Sequence, residues 1–375
     1  MKRRSFVKGS LTAAGAGVLA QLPEKAAGQS AGSDRQTYRA WEVGPKGPFN
    51  TMRLVDRPLT SPPPGHVQVE VAASGIAGRD RAITRGWFLQ DKKPERIPLS
   101  EGVGTVTAVA PGVSRVAVGD RVTSIHFPRW VSGDWTPANY VADVGNTVDG
   151  WLTEVATLSQ YGLVKVPESI DDATAATLSG SALTAWQALY HVAKVKSGDT
   201  VLSLGTGGVS SWGIILAKAA GARVVLTSSS DEKLAAMREK YGVDITVNYR
   251  KTPEWGQKVT ELTGGKGANI VLENVGWPTL DQSLQASAVN ATVVMIGTGP
   301  RPKKILSMPD FYIKNITMKA ISNGSRSMME ELVRAIDSVG MKALIAKEFA
   351  FEEAVAALEF MDQSNHMGKV VIRHA

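Results

Sequence analysis

Residues 201–233 read VLSLGTGGVSSWGIILAKAAGARVVLTSSSDEK, and this stretch decides the fold of the chain. Its first residues form a short apolar run that predicts a strand buried on both faces. Three glycines follow, then a helix to about Ala220 and a second, β-branched strand over residues 223–227. The order strand, glycine turn, helix and strand predicts a βαβ unit that binds a nucleotide, although a βαβ unit can also be purely structural.

The glycine turn has the chemistry that a dinucleotide site requires. Gly205 permits a tight turn, and Gly207 lets the backbone approach a pyrophosphate at the N-terminus of the following helix. Ser210 stands where G-x-G-x-x-G has its third glycine, and a small residue still permits close packing of helix on strand. We expect residues 205–210 to contact the pyrophosphate.

The end of the second strand indicates which dinucleotide binds. NAD sites usually carry Asp or Glu there, whereas this chain has Ser228, Ser229 and Ser230, with Lys233 one turn into the next helix. Small hydroxyls leave room for a 2′-phosphate and Lys233 supplies positive charge, so NADP(H) is favoured. The alternative is that the serines only cap the helix beginning near Asp231, whose own carboxylate suits either the helix dipole or an NAD ribose.

Composition excludes several classes of function. The chain has 375 residues, 43% of them apolar, and no cysteine, which excludes disulfides, thiolate metal ligands and a catalytic thiol. Much of the formal charge of +7 comes from basic residues in the first 25 positions, and the remaining basic residues do not cluster as nucleic-acid binding requires.

The N-terminus resembles a twin-arginine export signal. Arg3 and Arg4 precede Phe6 and Lys8, and a short small-residue stretch follows that is a poor membrane span. We expect residues 1–28 to be the signal, and the protein to reach the periplasm through the twin-arginine machinery. Without such a signal the protein would remain in the cytoplasm.

The remaining chain divides by its periodicity. A flexible linker is expected over residues 29–36, then short alternating strands and Pro- or Gly-rich turns over residues 37–166. Helical and βαβ patterns fill residues 167–305. Residues 306–375 end in the strand 368–372, which we expect to return to the first domain.

These patterns resemble the medium-chain dehydrogenase/reductase family, in its zinc-independent, quinone oxidoreductase-like branch. The motifs that carry the resemblance are SGIAGRD (74–80), EGVG (101–104), VGDRV (118–122), ALTAW (182–186), ENVG (273–276) and GKV (368–370). The resemblance implies an α/β fold with an N-terminal GroES-like, β-barrel-type catalytic domain and a Rossmann domain with a doubly wound parallel sheet.

Zinc enzymes of that family place metal ligands inside the same segments, and this chain departs from them. The ligand positions fall on Ala77, Ser100 and Gly180, none of which can bind zinc as cysteine and histidine do. The four-cysteine structural lobe is also missing. No metal site is therefore expected.

Without a Lewis acid, the reduction of a quinone or an α,β-unsaturated carbonyl is the expected reaction, because the added electron pair delocalises onto oxygen. The candidate catalytic residues are Ser100, Thr184 and Arg326 as hydrogen-bond donors, with Asp80 orienting its surroundings. Asp80 and Arg79 can equally be a structural pair. A zinc-free alcohol or sugar dehydrogenase with tightly bound NADP and a non-catalytic nucleotide-binding protein are the alternatives.

The resemblance also implies the remaining cofactor contacts and the assembly. The cofactor-binding residues predicted in total are Gly205, Thr206, Gly207, Gly208, Val209, Ser210, Ser228, Ser229, Ser230, Lys233, Tyr249, Asn274, Val275, Gly297, Thr298 and Ser325. A homodimer is expected, with the strand at residues 293–296 pairing across a two-fold axis.

Aromatic residues and one histidine in the loop after residue 125 have two interpretations each. Trp130, Trp135 and Trp151 either line a substrate slot or belong to the core. His126 is expected to be a surface histidine at a strand end rather than a proton donor.

Overall fold

The structure, a computed structural model, describes residues 35–44, 51–84, 95–300, 309–363 and 365–374. The predicted export signal at residues 1–28 and residues 29–34 of the predicted linker lie outside this range. None of the helices in the described part of the chain has the length and apolar character needed to cross a bilayer.

The N-terminal domain consists of a two-stranded ribbon and a larger, mostly antiparallel sheet. The ribbon pairs β1 (Thr37–Glu42) with β2 (Arg53–Pro58). The strands of the larger sheet are β3 (His66–Ile76), β4 (Glu101–Val109), β5 (Arg121–Ser124), β6 (Val155–Ser159), β7 (Leu163–Lys165), β14 (Ile345–Ala350) and β15 (Lys369–Arg373). Their order is β14–β15–β3–β4–β5–β7, and β6 also pairs with β3.

The predicted strands of this domain are present, but their burial alternates only in part: Gln68 on β3 is 7% exposed, and the first four residues of β4 are all buried. Val67, Val69 and Val71 on β3 are all buried, as expected for a strand with one face on the core. The final strand β15 pairs antiparallel with β3, so the chain does return to the first domain. Helices α9 (Arg326–Val339) and α10 (Ala354–Asp362) contact strands of this sheet, and α1 (Gly78–Thr84) follows β3 in the chain.

The second domain is a six-stranded parallel sheet with order β10–β9–β8–β11–β12–β13. Its strands are β8 (Thr200–Leu204), β9 (Arg223–Ser228), β10 (Ile245–Asn248), β11 (Ala268–Glu273), β12 (Ser287–Met295) and β13 (Thr317–Ala320). Its helices are α4 (Gly208–Ala219), α5 (Asp231–Tyr241), α6 (Trp255–Leu262), α7 (Leu280–Ala286) and α8 (Pro309–Ile313). The strand order reverses between β8 and β11, where a doubly wound sheet binds its ligand.

Strand β13 extends the parallel sheet beyond residue 305, the boundary that the sequence suggested for the cofactor domain. All four residues of β13, TMKA, are exposed. They lack the buried apolar run by which the other strands were recognised, which is why the sequence pattern does not reveal this strand.

The dimer strand predicted at residues 293–296 was wrong. Val293, Val294 and Met295 belong to β12, which is hydrogen-bonded to β11 on one side and to β13 on the other. A strand with both edges paired cannot pair again across a two-fold axis, whereas β13 is an edge strand.

A helical segment joins the two domains. It comprises α2 (Asp172–Ala175), α3 (Leu183–Trp186) and the π-helical turns Leu178–Ala182 and Gln187–Val192. One continuous apolar cluster contains residues of both domains and of this segment, for example Val103, Leu183 and Val201. The domains therefore share a core along this segment.

Candidate functional site

The glycine turn between β8 and α4 has the geometry of a phosphate-binding turn. Gly205 has φ +76°, a backbone conformation that favours glycine. A Cβ built on Gly207 meets no atom within 4 Å, so the space in front of the N-terminus of α4 is open. This helix terminus can receive an anion.

Ser210 takes the place of the third glycine and packs inside the βαβ unit. It is buried, and its hydroxyl donates to the carbonyl oxygen of Leu204 at 2.7 Å. Asn274 Nδ2 donates to the same hydroxyl at 3.0 Å, which joins the ends of β8 and β11. Asn274 Oδ1 is buried and has no hydrogen-bond partner. An unpaired acceptor beside the glycine turn fits a ligand with a donor group, such as a dinucleotide.

The end of β9 carries the predicted serines. Ser230 caps α5, because its Oγ accepts from Lys233 N at 3.2 Å and it also hydrogen-bonds Glu232. Asp231 points away from this role and bonds Lys251 and Asn248. The capping interpretation therefore holds for Ser230.

One of the predicted adenosine contacts, Tyr249, lies beside Ser228. Tyr249 donates its backbone N–H to the carbonyl oxygen of Ser228 at 3.1 Å, and its side chain is 41% exposed. Lys233 is half-buried, and its charge contributes to the lowered pKa of His366 after the larger effect of burial. Ser228 and Tyr249 therefore lie together at the end of β9, and Lys233 lies in the first turn of the following helix α5.

The ends of β11 and β12 bring the predicted nicotinamide contacts together. Gly276 forms a bridge with Gly299, and a Cβ on Gly297 would overlap the backbone of Asn274 and Val275. Val275 is 40% exposed and Thr298 is exposed. These two turns form one surface at the carboxyl edge of the sheet.

Glu273 organises that surface, and sequence reasoning missed it. The side chain is fully buried, and its Oε1 accepts from Val275 N at 3.0 Å, Gly276 N at 2.8 Å and Thr279 Oγ1 at 2.7 Å. Such a carboxylate holds the turn after β11 in one conformation. Its position as the last residue of an apolar strand was the available signal.

The three positions that hold zinc ligands in related enzymes converge in this structure. A Cβ on Gly180 would lie 3.2 Å from Ala77 Cβ, and Ser100 Oγ donates at 2.9 Å to Asp80, which itself accepts from Ala77 N. Alanine, serine and glycine supply no zinc ligand of the kind these enzymes use. Within the described ranges, no group of three or more His, Cys, Asp or Glu side chains is arranged to hold a metal ion.

A buried ion pair occupies this point instead. Lys369 Nζ donates to Glu101 Oε1 and to the carbonyl oxygen of Ile76, both at 2.7 Å. The side chains of Glu101 and Lys369 are 0% and 2% exposed. A Cβ on Gly180 would overlap Glu101 Oε1, so the carboxylate fills the space that a side chain at position 180 would need. The donor set does not fit zinc, and we derive no catalytic step through a metal.

Burial has the largest effect on the pKa values of Glu101 and Asp80. Desolvation raises the pKa of Glu101 to about 7, although Lys369 acts in the opposite direction. It also raises the pKa of Asp80, against the lowering effect of Arg79. Sequence reasoning quoted the motifs of Glu101 and Lys369 but did not assign either residue to the site, because the pair joins β4 to β15 across 268 positions.

Arg79 has Asp143 as its main partner, and Asp80 accepts hydrogen bonds from other residues. Arg79 Nη2 lies 2.6 Å from Asp143 Oδ1, and its guanidinium lies 5.6 Å from the ring centroid of Phe127. Asp80 accepts from Ser100 and from the backbone of Ala77. Asp80 thus orients Ser100, as the sequence suggested, while Arg79 bonds mainly to Asp143.

Thr184 lies beside Gly180, whereas Arg326 contacts Tyr161 and Glu330. Thr184 Oγ1 donates to the carbonyl oxygen of Gly180 at 2.5 Å and accepts from Asn323 Nδ2 at 3.1 Å. Arg326 Nη1 donates to the carbonyl oxygen of Tyr161 at 2.9 Å, and its Nε lies 3.3 Å from Glu330. Ser325 caps α9. Asn323 was not found from the sequence.

His126 is not the surface residue that the sequence suggested. It is 2% exposed, and its Nε2 has no hydrogen-bond partner. Burial, followed by the charges of Arg79 and Lys369, lowers its pKa well below 6.5, so the ring is neutral at pH 7.

The tryptophans of this region belong mainly to the core. Trp130 and Trp151 are 1% and 0% exposed, and Trp151 Nε1 donates to Ser124 Oγ at 3.0 Å. Trp135 is partly buried, with its ring centroid 5.0 Å from that of Trp130. The core interpretation therefore holds for Trp130 and Trp151.

Two family models match the chain. An alcohol dehydrogenase GroES-like domain matches residues 63–168, and a zinc-binding dehydrogenase domain matches residues 208–338. A zinc-type alcohol dehydrogenase-like protein of Schizosaccharomyces pombe is 34% identical over 83% of this chain and 91% of its own length. An acryloyl-coenzyme A reductase of Metallosphaera sedula is 27% identical over 83% of this chain and 93% of its own length.

Solved structures agree with this relationship. A protein of Sinorhizobium meliloti assigned as an alcohol dehydrogenase superposes with a TM-score of 0.84 at 32% identity, covering 91% of this chain and all of its own. A quinone oxidoreductase of Pseudomonas syringae gives 0.76 at 26%, and a mycobacterial protein complexed with NADPH gives 0.75 at 28%. Both cover 90% of this chain and all of their own. With its GroES-like domain and parallel cofactor sheet, the chain belongs to the medium-chain dehydrogenase/reductase family of oxidoreductases.

Proposed function

We propose that this oxidoreductase transfers hydride from NADPH to a quinone or an α,β-unsaturated carbonyl without a metal ion. The observation that carries the proposal is the contact between the glycine turn and the point where the three ligand positions converge. A Cβ on Gly208 would lie 2.6 Å from Ser181 Oγ and would also meet the Lys369 side chain. The nucleotide turn therefore adjoins a polar site whose ligand positions are Ala77, Ser100 and Gly180.

None of these three positions supplies a metal ligand, and this favours substrates whose reduction needs no metal ion. An isolated carbonyl needs a strong electrophile to stabilise the alkoxide that forms. A conjugated carbonyl or a quinone spreads the developing charge over several atoms, so hydrogen bonds can stabilise it. Ser100 and Thr184 are the candidate hydroxyls: they donate to Asp80 and to the carbonyl oxygen of Gly180 in this structure, so each would have to turn its proton toward a substrate oxygen.

The chain's own residues would hold the cofactor along the carboxyl edge of the parallel sheet. The N-terminus of α4 would bind the pyrophosphate, and residues 228–230 with Lys233 would surround the 2′-phosphate. Asn274 and Val275 would border the nicotinamide, which supplies the hydride when bound. The similarity to an acryloyl-coenzyme A reductase, a quinone oxidoreductase and an NADPH-bound protein supports this assignment.

Single-turnover measurements test the proposal. Purified protein mixed with NADPH and a panel of quinones and enones should oxidise the nucleotide, and a metal chelator should leave the rate unchanged. Oxidation of alcohols or sugars with NADP⁺ instead would favour the dehydrogenase alternative. Nucleotide binding without hydride loss on any substrate would indicate a non-catalytic binding protein, and stoichiometric zinc whose removal abolishes activity would refute the metal-free assignment.

Lys233→Ala should weaken NADPH binding about tenfold or more and leave NADH binding nearly unchanged. A charge-assisted bond to the 2′-phosphate contributes about 1.5 to 3 kcal/mol, and NADH lacks that phosphate. Fluorescence titration of both nucleotides checks this. Lys240→Ala, on the same helix in an exposed position, is the control. Equal losses for NADPH and NADH would show that Lys233 acts only through folding.

We also propose a homodimer that pairs through β13, in place of the strand first expected. Its four residues are exposed, and Met318 is 40% exposed. An edge strand with free backbone groups is the element able to extend the sheet across a two-fold axis. Light scattering should give a dimer at micromolar concentration and a monomer for Met318→Asp. Val118→Asp, an exposed apolar position in the other domain, should remain dimeric; a monomeric parent protein would contradict the proposal.

The proposed destination is the periplasm, with export of folded protein carrying its nucleotide. The supporting residues, Arg3 and Arg4, lie outside the described part of the chain. Replacing both by lysine should retain the protein in the cytoplasm, as measured by fractionation. Normal periplasmic levels of that variant would show that the signal has been misread.

A further inference from the structure

Lys369 lies between the glycine turn and Glu101. Its side chain is 2% exposed and its stem packs against Gly208, the first residue of α4. The preceding residue, Gly368, bridges to Gly207 and donates its N–H to the carbonyl oxygen of Thr206 at 2.8 Å. The lysine therefore stands directly behind the helix terminus proposed to bind the pyrophosphate.

The far end of the same side chain neutralises a buried carboxylate. Lys369 Nζ bonds Glu101 Oε1 at 2.7 Å, while Glu101 Oε2 is buried without a hydrogen-bond partner. A carboxylate with one unpaired oxygen in a dry interior is the group whose protonation state a nearby charge changes most readily.

We infer that Lys369 couples occupancy of the glycine turn to protonation of Glu101, so that a bound dinucleotide draws a proton from solvent into the site. The inference rests on the proposed nucleotide site. The phosphates bring negative charge to the side of Lys369 opposite Glu101. The phosphates attract the Lys369 ammonium, which then stabilises the Glu101 carboxylate less. They also repel that carboxylate directly. Both effects favour the protonated form, so Glu101 gains a proton.

Of the other charged groups around Glu101, Asp80 acts in the same direction as the phosphates. Asp80 on α1 raises the pKa of Glu101, whereas the backbone N–H of Gly180 lowers it less strongly than Lys369 does. His126, near Lys369 and Arg79, has a lowered pKa and cannot supply a compensating positive charge at pH 7. Arg79, beside Asp143, keeps its own charge.

The coupling suits a reductase. Adding hydride to a conjugated double bond or a quinone leaves an anion, and the product needs one proton in addition to the hydride. The proton that Glu101 takes from water on nucleotide binding would lie within the site where this demand arises. Lys369 is then a positioning residue, and Glu101 is the group that holds the proton.

Calorimetry of NADPH binding in buffers with different ionisation enthalpies tests the inference. The pKa of Glu101 is about 7 without nucleotide, and a tenfold weakening of its acid dissociation on binding implies uptake of about half a proton per site at pH 7.5. In the same case, NADPH affinity should weaken by about sixfold between pH 6.5 and 8.5, because the protonated carboxyl tolerates the phosphates better than the carboxylate does.

Variants separate Glu101 from other proton sources. Glu101→Gln should remove about half a proton of uptake and flatten that part of the pH profile. Titration of the nucleotide phosphate or of His366 would persist in every variant and cancels in the difference. Glu348→Gln is the matched control, since Glu348 pairs with Arg373 on the same sheet at 2.6 Å and should keep parental uptake.

Two further measurements keep the inference testable if Glu101→Gln is unstable. The charge-balanced variant Glu101→Gln/Lys369→Met should show the same loss of uptake. Infrared difference spectra of the parent protein should gain a protonated carboxyl band on NADPH binding. Equal proton uptake in parent and Glu101 variants, or no new band, would overturn the coupling. Failure of the parent protein to bind any dinucleotide would instead overturn the proposed function.

Discussion

Replacing Gly207 by valine should abolish NADPH binding while the protein remains folded. A Cβ at this position meets no atom of the described residues within 4 Å, so the added side chain starts in open space. It would occupy the space in front of α4 where the phosphates need contact with backbone N–H groups. Losing two charge-assisted bonds of about 1.5 to 3 kcal/mol each weakens binding at least a hundredfold.

Fluorescence titration and thermal unfolding together check this expectation. Gly44→Val is the matched control, because a side chain at Gly44 also meets nothing within 4 Å and this glycine lies in the other domain. It should keep parental affinity. Parental NADPH affinity in Gly207→Val would show that the nucleotide does not bind at this turn.

Gly180→Ala should have the opposite outcome, a large loss of stability. The new Cβ would overlap Glu101 Oε1 and force the carboxylate away from Lys369. Removing one partner of a buried ion pair costs about 3 to 5 kcal/mol, and we expect up to that cost here, because both charges stay buried while their contact is lost. We expect the thermal midpoint to fall by on the order of 10 °C.

Gly207 provides the control for Gly180→Ala. Gly207→Ala fills open space and should leave the thermal midpoint unchanged. Adding Glu101→Ala and Lys369→Met to Gly180→Ala removes both the overlap and the buried charges, and should recover much of the lost stability. An unchanged midpoint for Gly180→Ala would show that Glu101 is not held where the structure places it.

Most of the fold was predictable because its signals are local. The buried strands β8, β9, β10 and β11 are apolar runs, and the turn residues between them are glycines with positive φ, such as Gly205 and Gly221. Strand β13 was not predictable, because all four of its residues are exposed and its place depends on backbone pairing with β12.

The candidate site was predictable only in part, for the same physical reason. Gly207, Ser210 and the serines after β9 lie within one βαβ unit, where sequence spacing sets their geometry. Asn323 bonds Thr184 although the two residues are 139 positions apart, so no local sequence pattern predicts that contact.

The sequence by itself determined the glycine turn of the βαβ unit, the order of the domains, and the residues Ala77, Ser100 and Gly180 where zinc enzymes of the family carry ligands, because each follows from residue type at a fixed local spacing. Only the tertiary structure decided what fills the resulting space. Glu101 and Lys369 meet there because β3 holds β4 on one edge and β15 on the other. Burial then changes the chemistry of both side chains, since the cost of a charge depends on its surroundings rather than on its place in the chain.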